Sequence, residues 1–100
     1  MQQLSLELPH QKIAEFCRRH HIRKLALFGS VLRPDFGSAS DIDVLVEFAP
    51  GCTPGLAFFT MQQELAGLLG RKVDLNTLAG LSRHFRDKVL REAETVYASA

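Results

Sequence analysis

A chain of 100 residues holds sequence for one hydrophobic core, which fits a single domain spanning residues 1–100. Hydrophobic residues make up 46%, charged residues 23%, and the formal net charge is +1; this excludes a disordered or fibrous chain and gives no bulk electrostatic drive toward nucleic acid or membrane. The apolar stretches fall well short of the ~20 residues of a membrane span, the start MQQLSLELPHQK lacks the features of a signal peptide, and Cys17 and Cys52 lack metal or redox spacing, so they read as free thiols of a cytoplasmic protein.

In chain order, Pro9 suits a first helical turn, and Ile13, Phe16, Cys17 and His20 follow at helical spacing, which predicts an amphipathic helix over Pro9–His20. Leu25–Phe28 is a short apolar run ending at Gly29, the pattern of a buried strand, and Val31–Arg33 fits a short helix before Pro34. Asp41–Phe48 alternates with period two, placing Ile42, Val44, Val46 and Phe48 on one face and Asp41, Asp43, Leu45 and Glu47 on the other. Leu56–Leu69 returns to helical spacing and ends at Gly70, where a C-cap glycine belongs. Lys72–Asn76 is a short strand, Ser82 caps a last helix reaching about Ala93 with Phe85, Val89 and Ala93 inward, and Thr95–Tyr97 adds a final strand. The sequence of elements predicts a small α/β (α+β) domain, one mixed sheet with helices mainly on one face.

The informative pair is Asp41 and Asp43. On a strand, residues i and i+2 point to the same side, so the two carboxylates project together while Ile42, Val44 and Val46 anchor the other face. Like charges this close repel, and a hard divalent cation such as Mg²⁺ compensates by taking oxygen ligands. Asp74, inside Lys72–Asn76, joins the cluster if the two strands pair. Three carboxylates suit a two-ion site for in-line displacement at phosphorus, with Asp74 beside the attacking hydroxyl. The competing reading makes Asp41-x-Asp43 the solvent face of an edge strand, against which stands the depletion of Asp in strands. Glu47 reads as a solvated residue; Asn76 is either a pocket residue or a structural hydrogen bond.

Phe28-Gly29-Ser30 ends a strand in a turn whose glycine lets backbone amides approach a phosphate, with a hydroxyl and a helix start beside them. Ten residues separate Ser30 from Asp41, enough to return the chain as a neighbouring strand. Arg33 is either a phosphate contact or a clamp on Asp35 or a loop carbonyl, and Ser40 bonds the loop backbone. The basic residues of the last helix form a solvated face, with Arg86 the one considered for a triphosphate contact. His20-His21 diverge on a helix and suit its terminus better than a shared metal.

Taken together, LALFGSVLRPDFGSASDIDVLVEF at Leu25–Phe48, followed by Asp74 in Val73-Asp74-Leu75, resembles the minimal, MNT-type branch of the DNA polymerase β-like nucleotidyltransferase superfamily. The resemblance implies nucleotide-phosphate binding by Gly29 and Ser30, beside which Arg33 stands as a nucleotide-binding candidate, metal and catalytic roles for Asp41, Asp43 and Asp74, Mg²⁺ as cofactor and ATP as substrate. Pro34 departs from the glycine that many members carry after the arginine, which bears on the loop and on Arg33. The resemblance further implies an antitoxin of a HEPN/MNT module, transferring AMP from ATP to a tyrosine of a partner HEPN ribonuclease toxin. The alternative is a catalytically idle antitoxin that neutralises its partner by binding alone. A nucleic-acid-tailing enzyme would need further domains and a strong phosphate-binding surface, so no strong nucleic-acid binding is expected; homo- or hetero-oligomeric assembly is left open.

Overall fold

The order of elements read from periodicity is the order observed. The computed structural model describes residues 8–33, 41–52 and 54–99. It contains α1 (His10–Arg19), β1 (Ile22–Phe28), a 3-10 turn (Gly29–Leu32), β2 (Ile42–Phe48), α2 (Ala57–Leu69), β3 (Val73–Asn76), a second 3-10 turn (Leu78–Gly80), α3 (Arg83–Glu92) and β4 (Glu94–Ala98). The strands form one mixed sheet in the order β3-β2-β1-β4. β1 runs antiparallel to both β2 and β4, and β3 is parallel to β2 across the helical crossover α2.

Alternation along the strands divides the sheet into two faces. Leu25 and Leu27 of β1, Ile42, Val44 and Val46 of β2, and Val73 and Leu75 of β3 meet Ile13, Phe16 and Cys17 of α1 and Met61 and Leu65 of α2 in the main core. Burying each of the large side chains of that cluster contributes about 1.5–3 kcal/mol. Phe28 and Leu45 point to the other face and pack on Val89 of α3. Two helices therefore cover one face and α3 the opposite one. The carboxylate-bearing face of β2 is the α3 face.

Local signals account for the helix ends. Ser82 Oγ accepts from Phe85 N at 3.3 Å to open α3. Gly70 closes α2 with φ +67°, the left-handed conformation that favours glycine. His21, at φ +57°, turns the chain from α1 into β1, so the histidine pair does mark a helix terminus. His20 Nε2 lies 2.9 Å from Glu64 Oε1, and Arg19 pairs with the same carboxylate, tying α1 to α2. The Arg19 hydrogen bond, followed by that of His20, holds the Glu64 carboxyl below its ordinary range against the opposing effect of burial.

Three expectations, on the start of β1, on Glu47 and on Phe85, are corrected, and one competing reading is removed. β1 starts at Ile22 rather than Leu25, because Arg23 and Lys24 are charged yet lie on a strand paired on both sides; Arg23 pairs with Glu47 across the sheet, so Glu47 is engaged rather than merely solvated. β2 is not an edge strand: it sits between β3 and β1, which removes the solvated-edge reading of its aspartates. On α3, Val89 is 2% exposed but Phe85 is 44% exposed, because Phe85 meets only the end of the sheet, edge-on to Phe28 at a ring distance of 6.3 Å. Among the described residues, no helix is long and apolar enough to cross a membrane.

Candidate active site

Pairing of β2 with β3 decides where the carboxylates stand. In the parallel register Asp43 lies directly beside Asp74, and Ile42 beside Val73. Ile42, Val44, Val73 and Leu75 go into the main core, so Asp43 and Asp74 emerge together on the α3 face. Asp41 precedes β2 and is exposed, Asp74 is exposed, and Asp43 is half-buried. Burial raises the Asp43 carboxyl above its ordinary value, and the neighbouring charges of Asp74 and Asp41 raise it further. The three aspartates thus form one electrostatic cluster. Among the described residues, no three His, Cys, Asp or Glu side chains already converge into a metal-holding group. The chemistry of the donor set, three carboxylates, fits a hard divalent cation.

The hairpin partner of β2 supplies the next component. Phe28, the last residue of β1, pairs with Asp43, so the turn that follows it begins at the carboxylate. Gly29 has φ +79°, and a Cβ built on it would collide with Asp43 Oδ2 and stand 3.3 Å from Asp43 Cγ. Two independent constraints therefore require glycine here: a left-handed backbone and a carboxylate packed against the Cα. Ser30 follows in the same 3-10 turn, and its carbonyl accepts from Arg33 N at 3.0 Å. The turn is four residues long, too short for a helix dipole; what it presents is backbone amides. Arg33 is exposed at its end, and Pro34, Asp35 and Ser40 lie outside the described residues.

A cleft of about 570 Å³ opens between this turn and α3. Phe28, Gly29, Leu32, Phe85 and Val89 give it an apolar floor and wall, Arg33, Lys88 and Arg91 bring three cations, and Glu92 and Glu94 bring two carboxylates. The aspartate cluster adjoins the cleft rather than lining it, and Gly29 touches both. Lys88 and Arg91 were not singled out in the sequence, where the basic residues of α3 read as a solvated face. The signal was there: Phe85, Lys88, Val89 and Glu92 fall at helical spacing on one side, with a cation beside two apolar residues. Arg86, the basic residue that was considered, is instead drawn back to the helix start, where its Nη2 donates to the Leu81 carbonyl at 3.3 Å. Asn76 has the structural role, donating from Nδ2 to the carbonyls of Asp74 at 3.0 Å and Val44 at 3.4 Å, which steadies the β2–β3 pair below the carboxylates.

Comparison with known proteins agrees with this arrangement. The family described as Polymerase beta, Nucleotidyltransferase matches residues 11–100. The protein adenylyltransferase MntA of Thermococcus cleftensis is 35% identical over 89 residues, 88% of this chain and 86% of that protein. A chain from a toxin–antitoxin crystal structure with AMP-PNP superposes with a TM-score of 0.74 at 26% identity, over 92% of this chain and 75% of that one. A chain from the complex of tri-AMPylated Shewanella oneidensis HEPN toxin with MNT antitoxin superposes with a TM-score of 0.65 at 26% identity, over 90% of this chain and 70% of that one. With its glycine turn, paired aspartates and sheet order in place, and matched along nearly its whole length, the chain belongs to the polymerase beta nucleotidyltransferase family.

Proposed function

We propose that this protein is an antitoxin that transfers AMP from ATP to a protein acceptor, a tyrosine of a partner HEPN ribonuclease toxin, in the cytoplasm. The observation that carries the reading is the register pairing of Asp43 with Asp74 beside the Gly29 turn. A relative named protein adenylyltransferase and structural neighbours recorded with AMP-PNP and with an AMPylated HEPN toxin support the acceptor class. Asp41, Asp43 and Asp74 would hold Mg²⁺, in a two-ion arrangement, and the bound ions would neutralise the triphosphate and acidify the attacking hydroxyl.

The chain's own residues then have distinct tasks. The amides of the Gly29-Ser30 turn bind phosphate oxygens, and Ser30 adds a hydroxyl. Arg33, reinforced by Lys88 and Arg91, offsets the charge of the leaving pyrophosphate. Asp74 stands on the acceptor side and takes the proton of the attacking tyrosine hydroxyl as the new oxygen–phosphorus bond forms and the bond to pyrophosphate breaks. The apolar wall of Phe28, Phe85 and Val89 excludes water, which would otherwise compete as acceptor.

The test is incubation with ATP, Mg²⁺ and the partner toxin, followed by intact mass of the toxin. Addition of AMP, abolished by Asp41→Asn plus Asp43→Asn, is the expected result. An unmodified toxin whose inhibition survives the double substitution would replace this reading with neutralisation by binding alone.

A further inference from the structure

Asp74 sits on the shortest strand of the sheet, four residues at its edge. Among the described residues β3 pairs with β2 alone, whereas β2, which carries Asp43, is held by β3 on one side and by β1 on the other. Successive residues of a strand turn their backbone groups to opposite sides. The Lys72 carbonyl accepts from Ile42 N at 2.9 Å, so the backbone groups of Lys72 and Asp74 face β2, and those of Val73 and Leu75 face outward. An outward N–H at a sheet edge is ordinarily left to water or to another strand. At Leu75 it is taken: it donates to Gln62 Oε1 at 2.9 Å.

Gln62 belongs to α2, which packs on the face opposite the carboxylates. Met61 and Leu65 beside it are buried in the main core, which fixes the turn of helix from which it reaches the strand. The group it holds is the peptide that joins Asp74 to Leu75. The other end of that peptide, the Asp74 carbonyl, accepts from Asn76 Nδ2 at 3.0 Å. One peptide plane is therefore tied at its N–H by α2 and at its oxygen by Asn76. That plane starts at the Asp74 Cα, so tying it restricts rotation about the Cα–C bond and with it the direction in which the Asp74 side chain leaves the strand. Water at the same edge would satisfy the N–H without holding the plane.

We infer that Gln62 is a positioning residue, which acts through the Leu75 amide to aim the Asp74 carboxylate toward Asp43 from the far side of the sheet. The inference rests on the proposed roles of Asp74 in holding Mg²⁺ and in receiving the acceptor's proton. Partners standing behind a metal-binding carboxylate commonly change metal affinity or rate by about 10–100-fold. Gln62 acts through one further link, the peptide, which puts its effect at the lower end, about tenfold. A residue that only shielded the edge from a further strand would move neither quantity.

The test compares Gln62→Met, which keeps length and helix preference but loses the acceptor oxygen, with Gln62→Glu, which keeps an acceptor. Both are made in the full chain, and thermal unfolding checks that they fold. NMR of the isolated protein reads hydrogen exchange at the Leu75 amide and, from broadening of the Asp43 and Asp74 amides, the affinity for Mn²⁺. In Gln62→Met the Leu75 amide should exchange faster and Mn²⁺ should bind about tenfold more weakly. With the partner toxin and saturating Mg²⁺, kcat for AMP transfer should fall about tenfold while KM for ATP stays within about twofold. Gln62→Glu should restore all of these. Wild-type Mn²⁺ affinity and kcat in Gln62→Met would overturn the inference and leave the proposed function standing. So would a Mn²⁺ affinity that Gln62→Glu fails to restore. A wild-type protein that binds Mn²⁺ but transfers no AMP would overturn the proposed function instead, and the Mn²⁺ comparison would still decide the role of Gln62.

Discussion

Gly29→Ala probes the closest approach in the site. Its φ of +79° costs an L side chain about 1–2 kcal/mol. The new methyl group also meets Asp43 Oδ2, and driving that carboxylate off its rotamer costs about a further 0.5–1.5 kcal/mol. The sum is about 1.5–3.5 kcal/mol, which for a domain of this size lowers Tm by roughly 6–28 °C. Gly70→Ala is the control: it has φ +67° and nothing within 4 Å of its Cβ, so it should lose only the backbone part, about half as much. Thermal and urea unfolding measure both. AMP transfer at a temperature where both variants are folded should fall at least tenfold for Gly29→Ala and stay near wild type for Gly70→Ala. Equal Tm losses for the two variants, with transfer intact in Gly29→Ala, would refute the argument that Asp43 is seated against the glycine.

Because the folded-state carboxyl of Asp43 is raised, the native protein holds its proton more tightly than the unfolded chain does. Its contribution to stability is full below the unfolded pKa, near 3.9, and is lost as pH rises through the folded value. In a chelator, Asp43→Asn should therefore unfold at higher urea than wild type at pH 7, with the difference shrinking toward pH 4. Lys88→Ala plus Arg91→Ala should raise the KM for ATP about tenfold while unfolding changes by less than about 0.5 kcal/mol, since both are exposed; an unchanged KM would detach the cleft from nucleotide binding. Burial pushes the Cys17 thiol up to about 12, so native protein at pH 8 should take up one iodoacetamide, at half-exposed Cys52, and a second only after denaturation.

Much of this site was legible because its elements obey strong local rules. β2 advertises itself through Ile42, Val44 and Val46, and the same alternation fixes the side of Asp43. Asp74 could be assigned to the cluster because Val73 and Leu75 flank it as core residues. The parts that escaped are those that depend on how elements dock. The beginning of β1 was hidden by Arg23 and Lys24, charged residues that a strand tolerates when they pair across the sheet, as Arg23 does with Glu47. Periodicity placed Phe85 inward together with Val89 but could not reveal that the sheet ends beneath it, leaving the ring at the mouth of the cleft. The same limit concealed Lys88 and Arg91. Their helix had a correct face and a correct cap, but the turn they look onto lies more than fifty residues earlier in the chain.

The mixed pairing of β2 also predicts an order in which the site forms during folding. Phe28 and Asp43 are neighbours across a hairpin with a short sequence separation, so that pairing closes a small loop and brings Gly29 to the first carboxylate early. Asp74 arrives only when α2 has docked and β3 has added in parallel, the kind of non-local contact that folds slowly. A chain arrested between those two events carries the Gly29 turn with Asp41 and Asp43 but lacks Asp74. A site that uses Asp74 is therefore expected to be complete only once the segment through Asn76 has left the ribosome, which would make the parallel strand a timing element as well as a wall of the site.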